Sequence, residues 1–517
     1  MSTRIKELIV ILTIAALIFR LAKPIAVAFC SESHFRRRRN VWFALTISAF
    51  LSPNFWLYAF VAIPLIIWAS KKDDNPVALY VLLLQVIPTI PIDIPVVGIQ
   101  HLFPLDNYRV LSFCILIPAA WRLRRSPQSS KQIHGLGVMD ILLFSYGALE
   151  IAFFSRPDLA NHLLLEDSAT NMLRRGFLFF VDVYVLYYVV SRSSSTRGAI
   201  NETLSAFCIA CGLMSAFAVF EAIKRWLLYA ELGTTWSGYA GFGFYLLRGD
   251  TVRAQASAGH PLALGYLIAI SYGFWLYLKT QVHAPRRFLL IDLLFWLGLI
   301  AAYSRGPWIG AAVIYFTFTA LGPRRLSRFL KSIAVVALIT AAVGVTPLGN
   351  RIIRVLPFMG GSIDSGSIDY RQQVLERSWE LIQQHLFFGD QFFLSKMESL
   401  RQGQGIIDIV NTYLEIALGK GLVGLSLFLG FILIALIKAY GPIGRLVKSD
   451  PGLALFGACL VACITGTLLM IENCSFIFGY EKMFYILAAL AAAYAHLSWL
   501  PPERSPAGTQ NPPLVVR

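Results

Sequence analysis

Stretches of about 20 apolar residues recur along nearly the whole chain, and each is long enough to cross the hydrocarbon core of a bilayer as a helix. The chain has 517 residues, of which 57% are hydrophobic and 14% are charged. Backbone groups in lipid must be hydrogen-bonded within the protein, so these stretches are predicted to be helical. The predicted fold class is therefore all-α: a polytopic transmembrane helical bundle of about 12–15 spans, about 14 in the best interpretation.

The loops between the candidate spans alternate in charge, which predicts a topology. The spans run roughly over 7–30, 41–70, 76–98, 106–123, 136–155, 175–191, 200–222, 260–278, 288–303, 308–322, 333–347, 420–440, 452–471 and 482–498. Short loops rich in lysine and arginine follow every second span and are predicted to be cytoplasmic. The run Arg36–Arg39 conflicts with this rule, and a helical hairpin with its turn at Ser52-Pro53-Asn54 would remove the conflict.

Two long loops, 223–259 and 348–419, fall on the opposite side of this topology, which is predicted to be external. Long loops are uncommon in compact proteins unless they have a function, so these two are the predicted active loops, and the second is predicted to contain short helices. The proline-rich tail 499–517 is predicted to be cytoplasmic and disordered.

The formal net charge of +16 would suggest nucleic-acid binding in a soluble chain. Here the basic residues lie mostly in short loops, where they set the topology and contact anionic membrane lipids, so no nucleic-acid partner is predicted. The seven cysteines and eight histidines lack the spacing of a metal site. Neither a metal nor another cofactor is therefore predicted.

The first external loop ends with arginines close to a predicted span. Arg253 lies just before the span that begins at His260, where an arginine is costly unless it meets an anion, water or a lipid headgroup. Its planar fork suits a phosphate or diphosphate, and the alternative is a lipid headgroup contact. Arg305, in a very short external turn, is a second positive charge on the side that usually lacks them.

The second external loop contains a predicted surface helix, 370–385, which carries Arg371 and Arg377. This helix is interpreted either as a solvated helix lying on the membrane or as a support that holds Arg371 over a lipid-linked anion. A short amphipathic helix follows, and a break at Gly419-Lys420-Gly421 separates it from the next span.

Three polar residues precede or begin that amphipathic helix: Asp408, Asn411 and Glu415. Any of them could orient a sugar hydroxyl, and a carboxylate could act as a general base. The alternative is that they cap the helix or fix the loop.

Three blocks of residues, in this order, resemble the O-antigen ligase and polymerase superfamily. The first block is Arg253-Ala254 with Gly259-His260-Pro261, and the second is Ser304-Arg305-Gly306 with Trp308. The third block consists of Arg371, Trp379, 385–389, Asn411, Leu414-Glu415, Gly421-Leu422 and Gly424. The spacing from Arg248 to Gly259 is also similar to the Arg-x10-Gly pattern of polymerase loops. The resemblance covers about residues 200–440.

This resemblance implies a metal-independent glycosyltransferase in the bacterial cytoplasmic membrane, which takes glycan from an undecaprenyl diphosphate carrier at the periplasmic face. Residues 200–440 would be its catalytic region, flanked by the transmembrane helices of 1–199 and 441–498. The catalytic candidates are Arg253 and Arg371, which would bind the diphosphate, and Asp408, Glu415 or His260 as the base. The substrate-binding candidates are Arg248, Arg305, Arg377 and Asn411.

The sequence departs from the ligases at Val410, where they carry a histidine directly before the Asn-x9-Gly-x2-Gly pattern. Valine cannot take up a proton, so a polymerase that extends a lipid-linked chain is favoured over a ligase. A chain-length-determinant protein would then be an expected partner. A flippase for lipid-linked oligosaccharide is an alternative from another class, although no internal repeat typical of transporters is visible. A scaffold protein with an inactive site is a fourth hypothesis.

Overall fold

A computed structural model describes most of the chain. The described residues are 3–94, 103–125, 133, 135–153, 169–237, 246–248, 251–322, 365–390, 392–401, 407–476, 479–500 and 514–515. The backbone alone is described for 153, 169–172, 248, 251, 283, 285–286, 365–368 and 514–515. The span predicted at 333–347 lies outside the described residues, as do parts of both long external loops and most of the tail.

The described chain is predominantly helical. The α-helices are α1 (Thr3–Ala26), α2 (Glu32–Leu51), α3 (Phe55–Lys71), α4 (Pro76–Leu83), α5 (Asn107–Leu111), α6 (Ile117–Arg125), α7 (Val138–Phe153), α8 (Ala169–Phe179), α9 (Leu186–Ser193), α10 (Arg197–Lys224), α11 (Ala230–Ser237), α12 (Pro261–Leu278), α13 (Pro285–Ala301), α14 (Arg305–Leu321), α15 (Ser365–Gln384), α16 (Thr412–Tyr440), α17 (Ile443–Ser449), α18 (Pro451–Ile471) and α19 (Glu481–Leu497).

Short elements complete the described fold. Two π-helical segments, Ser112–Leu116 and Phe180–Val185, join α5 to α6 and α8 to α9. Two 3₁₀ helices cover Ala256–Ala258 and Phe393–Leu400. The strands form three two-residue pairs: β1 (Ile92–Asp93) with β2 (Pro104–Leu105), β3 (Leu247–Arg248) with β4 (Thr251–Val252), and β5 (Val282–His283) with β6 (Leu514–Val515). The first two pairs are antiparallel and the third is parallel.

Several described helices have the length and composition of membrane spans. Five segments meet both criteria: Thr3–Ala26, Arg197–Lys224, Pro261–Leu278, Thr412–Ser449 and Pro451–Ile471. The shorter helix α3 is also apolar. The chain is therefore a multi-pass helical membrane protein, while the predicted total of about 14 spans stays a prediction.

The centre of the bundle is α12, in which 94% of the residues are buried. It packs against α10, α13, α14 and α18. Glycines allow the neighbouring helices to approach closely: a Cβ added to Gly466 of α18 would lie 3.0 Å from the carbonyl oxygen of Gly310 in α14. Such contacts between small residues favour helix association in lipid, because the hydrophobic effect does not drive helices together there and close packing must do so.

The loops predicted to be cytoplasmic and the loops predicted to be external lie at opposite ends of the bundle. At one end, Arg38 forms ion pairs with Asp73 at 2.6 Å and with Glu202 at 2.9 Å. At the same end, Arg197 of α10 lies 3.3 Å from Asp450, which precedes α18. These ion pairs join loops that were all predicted to face the cytoplasm.

The hairpin predicted at the beginning of the chain is present. The helices α2 and α3 pack against each other, and the chain leaves helical geometry between them at Ser52. The indole Nε1 of Trp236, in the first external loop, donates to the carbonyl of Ser52 at 3.2 Å. The turn therefore lies at the end opposite to Arg36–Arg39, as the positive-inside rule requires.

The predicted span 76–98 is not a continuous helix. The α-helix ends at Leu83, turns continue the chain to Ile87, and β1 follows at Ile92. Pro88 and Pro91 interrupt this stretch, and proline offers no N–H for a helical hydrogen bond. In the tail that was predicted to be disordered, Leu514–Val515 pair with β5.

Candidate active site

The segment 253–260 is held in place by a buried carboxylate. Glu221, near the end of α10, accepts hydrogen bonds from the backbone N–H groups of Leu228 at 2.9 Å, Gln255 at 2.8 Å and Ala256 at 2.9 Å. The Glu221 side chain is fully buried, and these donors compensate for its lost hydration. Ala256 has a φ of 46°, so two of the bonds stabilise a left-handed turn. Glu221 thus sets the backbone path of this segment.

Arg253 reaches the start of α14 through a buried hydroxyl group. Its Nη2 donates to Oγ of Ser304 at 2.8 Å, and Ser304 directly precedes Arg305. The backbone N–H of Ala254 donates to the carbonyl of Ala301 at 3.1 Å. The turns that contain Arg253 and Arg305, both predicted to be external, therefore lie side by side.

Arg371 meets the same surface through Asn473. Nη1 of Arg371 donates to Oδ1 of Asn473 at 3.3 Å. A Cβ added to Gly306 would lie 3.6 Å from Cβ of Asn473, so Asn473 also borders the first turn of α14. Contacts through Ser304 and Asn473 thus connect three arginines, which we call the arginine cluster: Arg253, Arg305 and Arg371.

The arginine cluster is well suited to an anion. Among the described residues, neither Arg305 nor Arg371 forms an ion pair with a carboxylate. The Nε atom of Arg305 is buried and has no hydrogen-bond partner in the described part of the chain. A guanidinium presents several N–H donors in a fixed plane that matches the oxygens of a phosphate. The arrangement can therefore bind a diphosphate and stabilise the charge that develops on it as a leaving group.

His260 caps α12. Its Nδ1 accepts a hydrogen bond from the backbone N–H of Leu262 at 3.2 Å. This backbone donor occupies Nδ1, so Nδ1 is a poor proton acceptor for the reaction. In a neutral imidazole with Nδ1 as the acceptor, Nε2 carries the proton.

Asp408 and Asn411 shape the turn before α16. Oδ1 of Asp408 accepts from the N–H of Val410 at 3.0 Å. The Tyr370 hydroxyl of α15 bonds to both the N–H and the carbonyl of Asp408, each at 3.1 Å. Asn411 is the N-cap of α16, because its Oδ1 accepts from two backbone N–H groups of the first turn at 2.9 and 3.1 Å. The capping interpretation of Asn411 is confirmed, and its role in substrate binding stays a prediction.

Val410 has a φ of 54°, in the left-handed region. This conformation costs an ordinary L-residue about 1–2 kcal/mol and is a genuine outlier for a β-branched one. Asn, Asp and His occupy it far more readily. The backbone at this position therefore suits the histidine that the ligases carry, although the side chain here is valine.

Val410→Asn is expected to stabilise the protein by about 1 kcal/mol, because asparagine adopts the left-handed conformation at lower cost. Thermal unfolding of the purified protein in detergent measures the change. Val447→Asn is the matched control, since Val447 is an exposed valine within α17. An equal change in Tm for the two variants would contradict strain at Val410.

The loop 472–476 brings the candidate bases towards Arg371. Oγ1 of Thr412 donates to the carbonyl of Cys474 at 2.7 Å, and Glu415 lies beside Ser475 within electrostatic reach of Asp408. Burial raises the pKa of the Cys474 thiol to about 11, with Asp408 and Arg371 acting on it in opposite directions. Both carboxylates therefore lie near the end of the arginine cluster that Arg371 occupies.

One of the substrate-binding candidates, Arg377, is not brought to the cluster. Arg377 donates to the carbonyl of Lys396 through Nε at 3.3 Å and Nη2 at 3.2 Å, and it pairs with Glu380 at 2.7 Å. Arg371 and Arg377 point about 120° apart around α15, given about 100° per residue. Arg248 lies on β3, where only its backbone is described, so its binding role stays a prediction.

Direct backbone hydrogen bonds tie the external segment to α16. The carbonyls of Leu386 and Phe387 accept from the N–H groups of Leu422 at 2.9 Å and Val423 at 3.0 Å. These donors are available because α16 is interrupted at Gly421, with φ 62° and ψ −167°. The predicted Gly-Lys-Gly break is confirmed, and it makes two backbone N–H groups of α16 available to the turn that follows α15.

Three residues of the site were not identified as functional candidates from the sequence: Glu221, Ser304 and Asn473. A carboxylate in an apolar span is a usual sign of function, and this applies to Glu221. Ser304 stood inside one of the motif blocks. Asn473 offered no comparable signal, because its contact with Arg371 joins segments about a hundred residues apart in the chain.

Metal-ligating side chains do not gather in the described part of the chain. No group of three or more His, Cys, Asp or Glu residues there could hold a metal ion. Whether the reaction requires a metal stays a matter of prediction, and a chelator tests it.

The family comparison agrees with this site. Residues 288–429 match the family model described as O-antigen ligase, a range that includes Arg305, Arg371, Asn411 and Glu415. The resemblance to the O-antigen ligase and polymerase superfamily is thereby confirmed, and the match supports a membrane glycan enzyme of the ligase or polymerase type. Arg253 and His260 lie outside the matched range. No curated protein matches the chain.

Proposed function

We propose that the protein is a metal-independent glycosyltransferase that polymerises undecaprenyl-diphosphate-linked repeat units of a surface or secreted polysaccharide at the periplasmic face of the bacterial inner membrane. The observation that supports this most directly is the contact path that joins Arg253, Ser304, Arg305, Asn473 and Arg371 at the external end of the bundle. A chain-length-determinant protein is a further expected partner.

The reaction transfers a growing glycan from its diphosphate carrier to the acceptor sugar. The acceptor hydroxyl oxygen forms a bond to the anomeric carbon, and the bond between that carbon and the diphosphate oxygen breaks. The bonding electrons leave with the lipid diphosphate, whose increasing negative charge the guanidinium groups of the arginine cluster stabilise. Because these donors are already arranged around the site, little reorganisation is needed during the reaction.

The proton of the acceptor hydroxyl goes to a carboxylate or to water. Asp408 and Glu415 are the candidates, because both lie near the Arg371 end of the cluster. His260 is the weaker candidate, because its Nδ1 is occupied by a backbone N–H.

The absence of histidine at position 410 supports polymerisation over ligation. A ligase that transfers finished glycan to another lipid acceptor is the alternative, and the family match itself carries that description. The two reactions share the donor and the leaving group and differ in the acceptor, so the acceptor is the feature that an experiment must vary.

The test uses the purified protein in proteoliposomes with a radiolabelled, lipid-diphosphate-linked repeat unit and EDTA. A ladder of longer lipid-linked products, unchanged by EDTA, is the expected result. Label that appears only on an added lipid A-type acceptor would replace the polymerase with the ligase. Substrate that changes leaflet without forming any new glycosidic bond would exclude the glycosyltransferase and favour the flippase.

A further inference from the structure

An apolar surface on α15 and the segment after it is not used by the arginine cluster. It consists of six large side chains, which we call the apolar ridge: Leu375, Trp379, Leu386, Phe387, Phe388 and Leu394. Trp379 is 60% exposed and Phe387 is 64% exposed. Clustered apolar side chains of this size mark a contact surface, whereas single exposed apolar residues do not.

The ridge is distinct from the face by which α15 packs on the protein. The packed face belongs to a small core beneath the helix and includes Val374, Leu381 and Ile382. Leu375 and Trp379 follow one another at i and i+4, which places them in a single stripe beside that packed face, and Leu386 follows in the turn after the helix. A third face is polar and exposed, and Gln384 lies on it, about 140° around the helix from Trp379.

The ridge lies level with the outer end of a membrane span. The carbonyls of Leu386 and Phe387 are hydrogen-bonded to the N–H groups of Leu422 and Val423, just after the break at Gly421. From there, residues 421–440 extend about 30 Å at about 1.5 Å per residue, which matches the hydrocarbon thickness of a bilayer. The turn of the ridge is therefore at the boundary of the hydrocarbon region.

The exposed surface of the span continues the ridge towards the opposite face of the membrane. Four exposed side chains of α16 follow at i, i+7, i+11 and i+15 and form one stripe: Leu422, Leu429, Leu433 and Ile437. An exposed apolar stripe on a membrane span faces lipid, because the hydrocarbon region that surrounds the span contains no water. The ridge and this stripe are continuous through Leu386 and Leu422.

We propose that the apolar ridge inserts into the acyl chains of the external leaflet, so that α15 lies in the membrane interface as an anchor. An interfacial helix of this kind buries its apolar face and keeps its polar face in water. The anchor fixes the height of Arg371, at the other end of α15, relative to the lipid headgroups. It accounts for the exposed aromatic residues on a helix whose opposite faces are packed or polar.

Site-directed fluorescence quenching in lipid vesicles tests this proposal. Phe387→Cys and, as the matched control on the polar face, Gln384→Cys are labelled with a thiol-reactive NBD fluorophore and reconstituted in phosphatidylethanolamine–phosphatidylglycerol vesicles. Wild-type protein treated in the same way gives the background from its own cysteines. Lipids with a nitroxide near the headgroup end of the acyl chain are expected to quench the label at 387 several-fold more than the label at 384. Aqueous iodide is expected to show the opposite order.

Two outcomes would overturn the proposal. Equal iodide quenching at both positions would mean that the ridge is solvated. Shielding of position 387 from both quenchers would mean that protein, such as a second copy of the chain, covers it. Leu394→Cys provides an independent position on the ridge if the label at 387 perturbs the fold. The measurement uses no glycan, so its result does not depend on glycosyltransferase activity.

Discussion

Arg371→Ala is expected to lower the rate of chain growth by about 10²–10³-fold, and Arg253→Ala by a similar factor, as is typical when one preorganised donor is removed from a developing negative charge. The loss should appear mainly in kcat, because the charge on the diphosphate grows as the glycosidic bond breaks. Initial rates in the proteoliposome assay, at several concentrations of the lipid-linked repeat unit, measure both kcat and KM.

Two further variants separate geometry from charge in this experiment. Arg371→Lys retains the positive charge but loses the planar fork, so we expect an activity between those of the wild type and Arg371→Ala. Arg377→Ala is the matched control on the same helix, because its guanidinium is engaged by Glu380 and Lys396. If Arg377→Ala lowered kcat as much as Arg371→Ala, the arginine cluster would not be the diphosphate site. An unchanged Tm of each variant shows that a lower rate of chain growth is not caused by unfolding.

The helical membrane fold could be predicted because its cause is local. Apolar runs in lipid must satisfy their own backbone hydrogen bonds, and the charges of the short loops determine which end of each run faces the cytoplasm. The same rule located the turn between α2 and α3 from the position of Arg36–Arg39. It failed at 76–98, where hydropathy is high but Pro88 and Pro91 prevent a continuous helix.

The candidate site could be predicted in its residue types but not in its connections. Arg253, Arg305 and Arg371 stand out because a positive charge in a loop predicted to be external is unusual. The contacts that unite them pass through Ser304 and Asn473, and such neutral side chains occur throughout any sequence. The same limit applies to Arg377, which looks like Arg371 in the sequence and is distinguished from it only by its position around α15.

The roles of Asp408, Asn411 and His260 show why position in a motif does not settle chemistry. Each of them makes a local hydrogen bond to the backbone, in the turn before α16 or at the start of α12. Short polar side chains at helix starts are commonly caps, so local bonding competes with any substrate for the same atoms.

Gly421→Ala is expected to destabilise the external segment by about 3–5 kcal/mol, in the range of severe single substitutions. A Cβ at Gly421 would collide with the backbone of Phe387 and Phe388, and its φ of 62° is unfavourable for alanine. Gly389, with a φ of 65°, is the reciprocal contact: a Cβ there would lie 2.5 Å from the nitrogen of Gly421. Both collisions are with backbone atoms, so no side chain can move to relieve them.

Loss of this contact should release the end of α15 and with it the position of Arg371. Limited proteolysis is expected to cleave the Gly421→Ala and Gly389→Ala variants faster within 365–411, and chain growth should fall in the same variants. Gly430→Ala is the matched control within α16, since its added Cβ would make only ordinary contact with Leu142 at 4.0 Å. That substitution should leave the protein as stable as before or stabilise it by up to about 1 kcal/mol. If Gly421→Ala resembled Gly430→Ala in both measurements, the break in α16 would not hold the external segment, and the height of Arg371 would have to be set by the membrane contact alone.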